Sequence, residues 1–454
     1  MSEEHLSNPA VLDEHGLQVT PSVLLPALPA EILGEIFVHC LPEQEMVRPD
    51  TKSAPLLLCN VCRRWRDVAL STPSLWGSLA IRFSRHRRRR NSYQNWLNLY
   101  QNWLSRAQNT PLSLCLDDSS LRSPYHPATV VTIPALLESA PQWRTLKLTL
   151  GRGLHVIGLL FRGDSNEFSP TVPLLEKLLL SLDNLLANIP LSFRNMPKLR
   201  HFALDLYRPG IQVPWRQLTT FRCADITVHD ALEILRDSCN LVECSLRVYH
   251  RFPDVPADAH VKHLRLEHLA LDFEDRRTLV LLDHLETPAL KSLTLQFPIE
   301  ALLVATMRSF LSRSFVHLQA LAITGDDGMI VESLRAMPSL VHLKLSTSQA
   351  APLFVQITGQ PGFLPKLESL HVILDGGIDF GSAFTPPLVM GLLRCRWAPQ
   401  TPGVAQLRSF RLASPLTLMA RSVFAELTSD SELRRLKREG MLVYIGIWDL
   451  KDSL

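Results

Sequence analysis

At 454 residues the chain exceeds one ordinary hydrophobic core and fits either two or three domains or one extended repeat array. A composition of 46% hydrophobic and 20% charged residues excludes disorder over most of the length. The balance of 47 Lys and Arg against 44 Asp and Glu, a net charge of +3, excludes a global field toward nucleic acid or membrane.

Residues 1–26 form an expected disordered tail. The start, Met-Ser-Glu-Glu-His, lacks the basic and apolar segments of a secretory signal, and the longest apolar runs, such as Leu154 to Phe161, cannot span a bilayer of about 30 Å. A cytoplasmic or nuclear protein without membrane contact is expected. Eight Cys do not make a disulfide scaffold at this length, and Cys62, Cys223 and Cys244 fall at apolar-pattern positions that read as buried thiols.

A helical module is expected over 27–80. Its first helix starts after Leu28-Pro29, with Pro29 suited to a first turn and Glu31 near the positive helix end. Ile32, Leu33, Ile36, Phe37 and Leu41 recur at helical spacing. After a loop at Pro42 to Ala54, a second helix is predicted from the stripe Leu57, Leu58, Val61, Cys62, Trp65, Val68 and Ala69, with Arg63, Arg64, Arg66 and Asp67 in water. Leu75-Trp76 closes the module with a large aromatic anchor.

The ordered set Leu28-Pro29, Ile32-Leu33, Ile36-Phe37, Val61-Cys62-Arg63-Arg64-Trp65 and Leu75-Trp76 resembles the F-box, in the F-box-like form abundant in mushroom-forming fungi. The resemblance implies docking on the Skp-family adaptor of cullin-RING ubiquitin ligases through Leu28, Pro29, Ile32, Leu33 and Ile36. Without it, the same residues read as the core of a helix pair, or as apolar area awaiting a cover.

Residues 81–111 read as a basic connector and a capping helix. Arg82, Arg85 and Arg87 to Arg90 have no interleaved aromatic or glycine residues, so a solvated connector is the reading taken over a nucleic-acid site. Trp96, Leu97, Tyr100, Trp103 and Leu104 share one helical face, expected to cap the end of a repeat array before the chain switches to a strand at Leu112.

From 112 to 450 the frame apolar-x-x-apolar-x-apolar occurs twelve times, starting at Trp143, Leu175, Leu199, Leu218, Leu241, Leu266, Leu290, Leu318, Leu340, Leu367, Leu407 and Leu442. Starts from Leu175 to Leu367 differ by 24, 19, 23, 25, 24, 28, 22 and 27 residues, the period of a leucine-rich repeat. Each frame predicts a short strand whose last two apolar residues point inward. The residue before the middle apolar position points outward: Thr145, Lys177, His201, Thr220, Glu243, His268, Ser292, Ala320, His342, Ser369, Ser409 and Tyr444. Of this column Lys177, His201, Glu243, His268, His342 and Tyr444 are the candidate partner-binding residues. Ala231 to Arg236 and Ile330 to Arg335 read as return helices, and the long stretches 376–406 and 413–440 call for loops or extra helices.

This part resembles the leucine-rich repeats found downstream of fungal F-boxes. It departs from their regular form three residues past the frame, where an Asn or Cys ladder is replaced by Gly151, Asp183, Tyr207, Ile226, Tyr249 and Glu274, so an even horseshoe is not implied.

No phosphate loop, nucleophile elbow or zinc-protease helix occurs, and Cys59-x-x-Cys62 has no second ligand pair at finger spacing. No cofactor, metal or catalytic residue is expected. The fold class read from the chain is an α/β solenoid, an irregular leucine-rich repeat array, preceded by a small all-α F-box-like module. The expected function is a non-enzymatic adaptor joining a Skp-family protein and cullin scaffold to an unknown protein substrate. The alternatives are a ligase-independent repeat scaffold and a nucleic-acid binder using the Arg run.

Overall fold

The computed structural model describes residues 28–42, 46–82, 91–117, 136–150, 171–182, 191–250, 259–296, 303–314, 317–324, 330–347, 350–374, 385–414 and 418–447. The tail at 1–26, the run Arg87 to Arg90 and the apolar run Leu154 to Phe161 lie outside them. The chain forms two compact units, Met1–Ala80 with Gln94–Ser113, and Ile81–Tyr93 with Leu114–Leu454. The division falls inside two strands, β1 (Ser78–Arg82) and β2 (Leu112–Asp117).

In the first unit a helix covers Ala30–His39, preceded by Pro29 and with Glu31 in its first turn. Leu33, Gly34 and Phe37 turn inward. Gly34 permits a close approach, because a Cβ there would stand 3.1 Å from Thr72 Oγ1. Phe37 meets Trp65 with ring centroids 4.9 Å apart.

The expected second helix is broken into Leu58–Val61 and Arg63–Ser71. Between them Cys62 is extended, at φ −157° and ψ 169°, and its Sγ accepts the Trp65 N–H at 3.4 Å as an N-cap. Capping takes the thiol off the apolar face, so Cys62 is exposed, whereas Cys223 and Cys244 are buried as expected.

Trp76 is fully buried and its Nε1–H donates to the Ala69 carbonyl at 2.9 Å. The helix expected to cap the array spans Asn91–Ala107, and from Gln94 onward it belongs to this first unit. Its Trp103 meets Trp76 edge-on at 4.8 Å, and the Arg106 guanidinium lies 4.5 Å over the Trp76 ring. Tyr100 and Trp103 thus help fill a small core that is short of apolar area.

The second unit carries β3 (Trp143–Leu150), β4 (Lys177–Leu182), β5 (His201–Leu206), β6 (Thr220–Thr227), β7 (Glu243–Tyr249), β8 (Val261–Lys262), β9 (His268–Phe273), β10 (Leu285–Glu286), β11 (Ser292–Gln296), β12 (Ala320–Thr324), β13 (His342–Thr347), β14 (Ser369–Leu374), β15 (Ser409–Ser414) and β16 (Leu442–Ile447). All but β8 and β10, which pair with each other, lie side by side in chain order as parallel neighbours. Sequence neighbours that are also sheet neighbours make a solenoid-like α/β arrangement.

The frame positions are equivalent in space. Leu199, Leu290 and Leu340 are 0%, 2% and 0% exposed, and each donates its N–H to the carbonyl three residues earlier. At the entries of the long strands from β5 to β15, one carbonyl accepts two successive N–H groups of the next repeat. Glu176 takes Arg200 and His201 at 2.9 and 3.0 Å, and Glu267 takes Lys291 and Ser292 at 2.8 and 3.0 Å.

Helices return at Val228–Asp237 and Ile330–Leu334, where the sequence places them, and the two long stretches hold helices Pro386–Trp397, Leu418–Ser429 and Ser431–Arg438. A further helix, Ala350–Gly359, backs the inward face, where its Phe354 meets Phe410 of β15 at 6.2 Å. In place of an Asn ladder, scattered buried polar groups satisfy the backbone. Ser314 Oγ accepts the Thr287 N–H at 3.1 Å, and His263 serves two repeats at once.

His263 is 2% exposed, its Nε2–H donates to the Ser238 carbonyl at 2.9 Å, and its Nδ1 accepts the Leu266 N–H at 3.1 Å. Burial holds its pKa below the ordinary imidazole value, against an opposing pull from the Ser238 bond. With the folded pKa depressed, the unfolded chain binds the extra proton, so this stability is complete above about pH 6.5 and is lost as pH falls below it. The urea midpoint of the second unit is expected to fall on acidification from about pH 7.5 to about pH 5.5, and His263→Gln should shrink that fall. Equal acid sensitivity of both proteins in the titration counts against this role.

Candidate protein-docking surfaces

On the first unit, helical geometry separates the apolar residues of Ala30–His39 into two stripes. Leu33 and Phe37, one turn apart, face the core at 7% and 0% exposure. Ile32 and Ile36, rotated by one position, stand 50% and 44% exposed, with Leu28 at 48% and Pro29 also exposed. Leu33 is therefore a core residue, a correction to its place in the expected docking set.

Sequence reasoning misses two further residues. Leu57 and Val61 are 43% and 53% exposed because the break at Cys62 releases them from the stripe they share in the sequence pattern. The start of the first helix is tied down by Arg64, whose guanidinium donates to the Leu28 carbonyl. Five large aliphatic side chains on one small unit exceed the scattered exposure of ordinary surfaces.

On the second unit, the outward column is aligned by strand register. Lys177 pairs with His201, His201 with Thr220, Thr220 with Glu243, Glu243 with His268, and His342 lies further along the same row. The last frame is displaced by two residues. Leu442, not Tyr444, stands opposite Ser409, and Tyr444 falls in the next outward column beside Arg411, whose guanidinium lies 4.7 Å over its ring. The inward pair of the frame is met by Ile445 and Ile447 or, one pleat repeat earlier, by Val443 and Ile445, since strand periodicity is two.

The next two outward columns form a shallow cleft of about 470 Å³ on β5, β6, β7, β9 and β11. Its floor is made by small residues, Ala203, Ala224, Ser245, Ala270 and Thr294. Along its edge Arg247 faces Asp272 at 3.7 Å, and Arg222 binds Glu243 at 2.6 Å. Asp205 accepts from Ser181. Burial raises the Asp272 pKa against the pull of Arg247, and it lowers that of His201 with help from Lys177. A bulge between Cys223 and Ile226 interrupts the register against β7. The buried Cys223 beneath is pushed up to about 12 by desolvation, so it is a packed thiol and no nucleophile.

Residues 25–82 match the F-box-like family. The chain carries an F-box-like domain. The match spans the helix with the exposed isoleucines and the split second helix through Leu75 and Trp76. No curated protein matches the chain. Among the described residues no group of three or more His, Cys, Asp or Glu could hold a metal ion, and no helix is long and apolar enough to cross a membrane.

The two stripes of the F-box-like helix respond differently to substitution. Trp76→Ala should destabilise the first unit by about 3–5 kcal/mol, whereas Ile32→Ser should stay within about 0.5 kcal/mol of the parent protein. Denaturant titration followed by near-UV circular dichroism checks both, and a large loss for Ile32→Ser would contradict its solvent-facing position.

Proposed function

We propose that this protein is a substrate-recognition adaptor of a cullin-RING, SCF-type ubiquitin ligase. In this reading the F-box-like domain docks on a Skp-family adaptor and, through it, on the cullin scaffold. The second unit is an irregular leucine-rich repeat array whose outward strand face holds a protein substrate. The protein then supplies proximity, and the bond-making chemistry belongs to other subunits.

The observation that carries the reading is the exposed apolar face of Leu28, Pro29, Ile32 and Ile36 on a domain that matches the F-box-like family. Burying such side chains against a partner is worth about 1.5–3 kcal/mol each, enough for a stable contact if several engage together. Lys177, His201, Glu243, His268 and His342, with the small-residue cleft beside them, are the proposed substrate side. Their mixed charge and low relief suit a folded or extended polypeptide better than a polyanion.

The second reading is a ligase-independent scaffold, in which the same unit meets some other apolar surface. One experiment separates the two. Full-length protein is incubated with a recombinant Skp-family adaptor and recovered by affinity purification. Leu28→Asp with Ile32→Asp should reduce adaptor recovery about tenfold or more, since a charge would be buried without a partner. Undiminished recovery rejects the docking step, and absence of adaptor binding by the parent protein favours the scaffold.

A further inference from the structure

A second cleft, of about 510 Å³, opens beside the strand entries of β5, β6 and β7 and is lined by Arg194, Arg200, Trp215, Arg216, Asp237 and Asn240 among others. We propose that it is a binding site for a phosphomonoester dianion.

The argument begins with how the array handles its other arginines. In the row at the strand entries Arg144 pairs with Glu176 at 2.9 Å and Arg408 with Glu368 at 3.7 Å. Arg222, Arg308 and Arg394 likewise each reach a glutamate on a neighbouring element. Arg200 occupies the same row, but Glu176 on one side is engaged by Arg144 and the residue on the other side is Thr219. Among the described residues Arg194, Arg200 and Arg216 make no ion pair, although all three are in one cleft.

Three guanidinium groups against one carboxylate, Asp237, leave the lining at +2. A phosphomonoester carries about −1.5 to −2 charges at neutral pH and three acceptor oxygens, and it matches the planar forks of arginine, whereas a single carboxylate leaves a positive excess.

The walls are held in place before any ligand arrives. Gln217 Nε2 donates to the carbonyls of Met196 at 2.5 Å and Leu199 at 3.1 Å, while its own carbonyl accepts from Arg200 Nη1 at 2.8 Å. Asn240 donates to the Arg216 carbonyl at 2.6 Å and accepts from Arg265 Nη1 at 2.7 Å, which brings a fourth guanidinium to the rim. Trp215 packs against Phe221 at 5.2 Å and Tyr207 at 6.1 Å, giving a fixed, half-buried aromatic wall. Arg200, held by the Gln217 carbonyl, is the preorganised donor of the set and loses little freedom on binding a compact anion.

The site stands apart from the ligase reading, whose failure would appear in adaptor recovery and not here. The test uses the full-length protein in calorimetric titrations with three probes: a decapeptide bearing a central phosphoserine, the same peptide with serine, and free O-phosphoserine. The phosphopeptide should bind and the serine peptide should not. Arg200→Glu with Arg216→Glu should weaken binding about tenfold or more, and Arg408→Glu, a pair-forming arginine of the same row remote from the cleft, should leave it unchanged. Arg194→Ala, at a solvent-facing position, supplies a variant whose folding is not in question and should weaken binding several-fold. Free O-phosphoserine binding as tightly as the peptide assigns the site to small phosphate esters, and a clear preference for the peptide assigns it to a phosphorylated protein. Equal binding of serine and phosphoserine peptides, no binding of either phosphate probe, or indifference to the arginine substitutions overturns the proposal.

Discussion

The architecture of the second unit depends on one backbone arrangement that recurs at the strand entries from β5 to β15, the short β8 and β10 apart. A carbonyl such as that of Glu176 or Val242 accepts two N–H groups of the following repeat, while the frame leucine beside it is buried and closes a turn on the carbonyl three residues back. The arrangement fixes register between neighbours before the strand itself begins. It also explains why repeats of unequal length stack: a return of any length is tolerated so long as the chain re-enters at that point. What lies between may be a helix, as at Val228–Asp237, or a short turn with Trp215 and Gln217.

The same constraint shows why a regular polar ladder is dispensable here. A ladder satisfies backbone groups at one position of every repeat, but the shared carbonyls already do so at the strand entry. The remaining buried groups are met by single solutions, such as His263 between Ser238 and Leu266, or Arg396, whose buried guanidinium donates to the carbonyls of Leu364 and Phe363. Each serves one place only, so their loss would act locally and not along the whole array.

The strand positions are legible in the sequence because their signal is redundant: three apolar positions per frame, a period near two dozen residues and an outward polar column all agree. Tyr444 is the exception because the last frame has apolar residues at both possible registers, and only pairing with Ser409 to Ser414 decides between them. The F-box-like helix is less legible for a similar reason. Ile32, Leu33, Ile36 and Phe37 cover an arc wider than one contact face, so the pattern predicts a helix but not which pair is buried; Thr72 against Gly34, and Trp65 against Phe37, make that choice. The break at Cys62 leaves no trace in periodicity, because a thiol can act as a helix cap or as a small hydrophobe with equal ease.

Charge is the property that distinguishes the two clefts of the array, and stability is a poor guide to it. Pairs such as Arg144 with Glu176 and Arg222 with Glu243 are largely exposed, and exposed pairs contribute little to folding. Their consequence is instead to neutralise the surface they occupy, so the strand face near Arg222 and Arg247 presents opposite charges already matched to each other. An external anion meeting that face would have to displace a carboxylate first. At Arg200 the adjacent glutamate is already taken by Arg144 and the next position is Thr219, so the same residue type that is neutralised elsewhere has no counter-charge beside it. A solenoid in which neighbours are equivalent along the backbone can therefore differ sharply from repeat to repeat in what it attracts, because one missing counter-charge changes the surface without disturbing the stack.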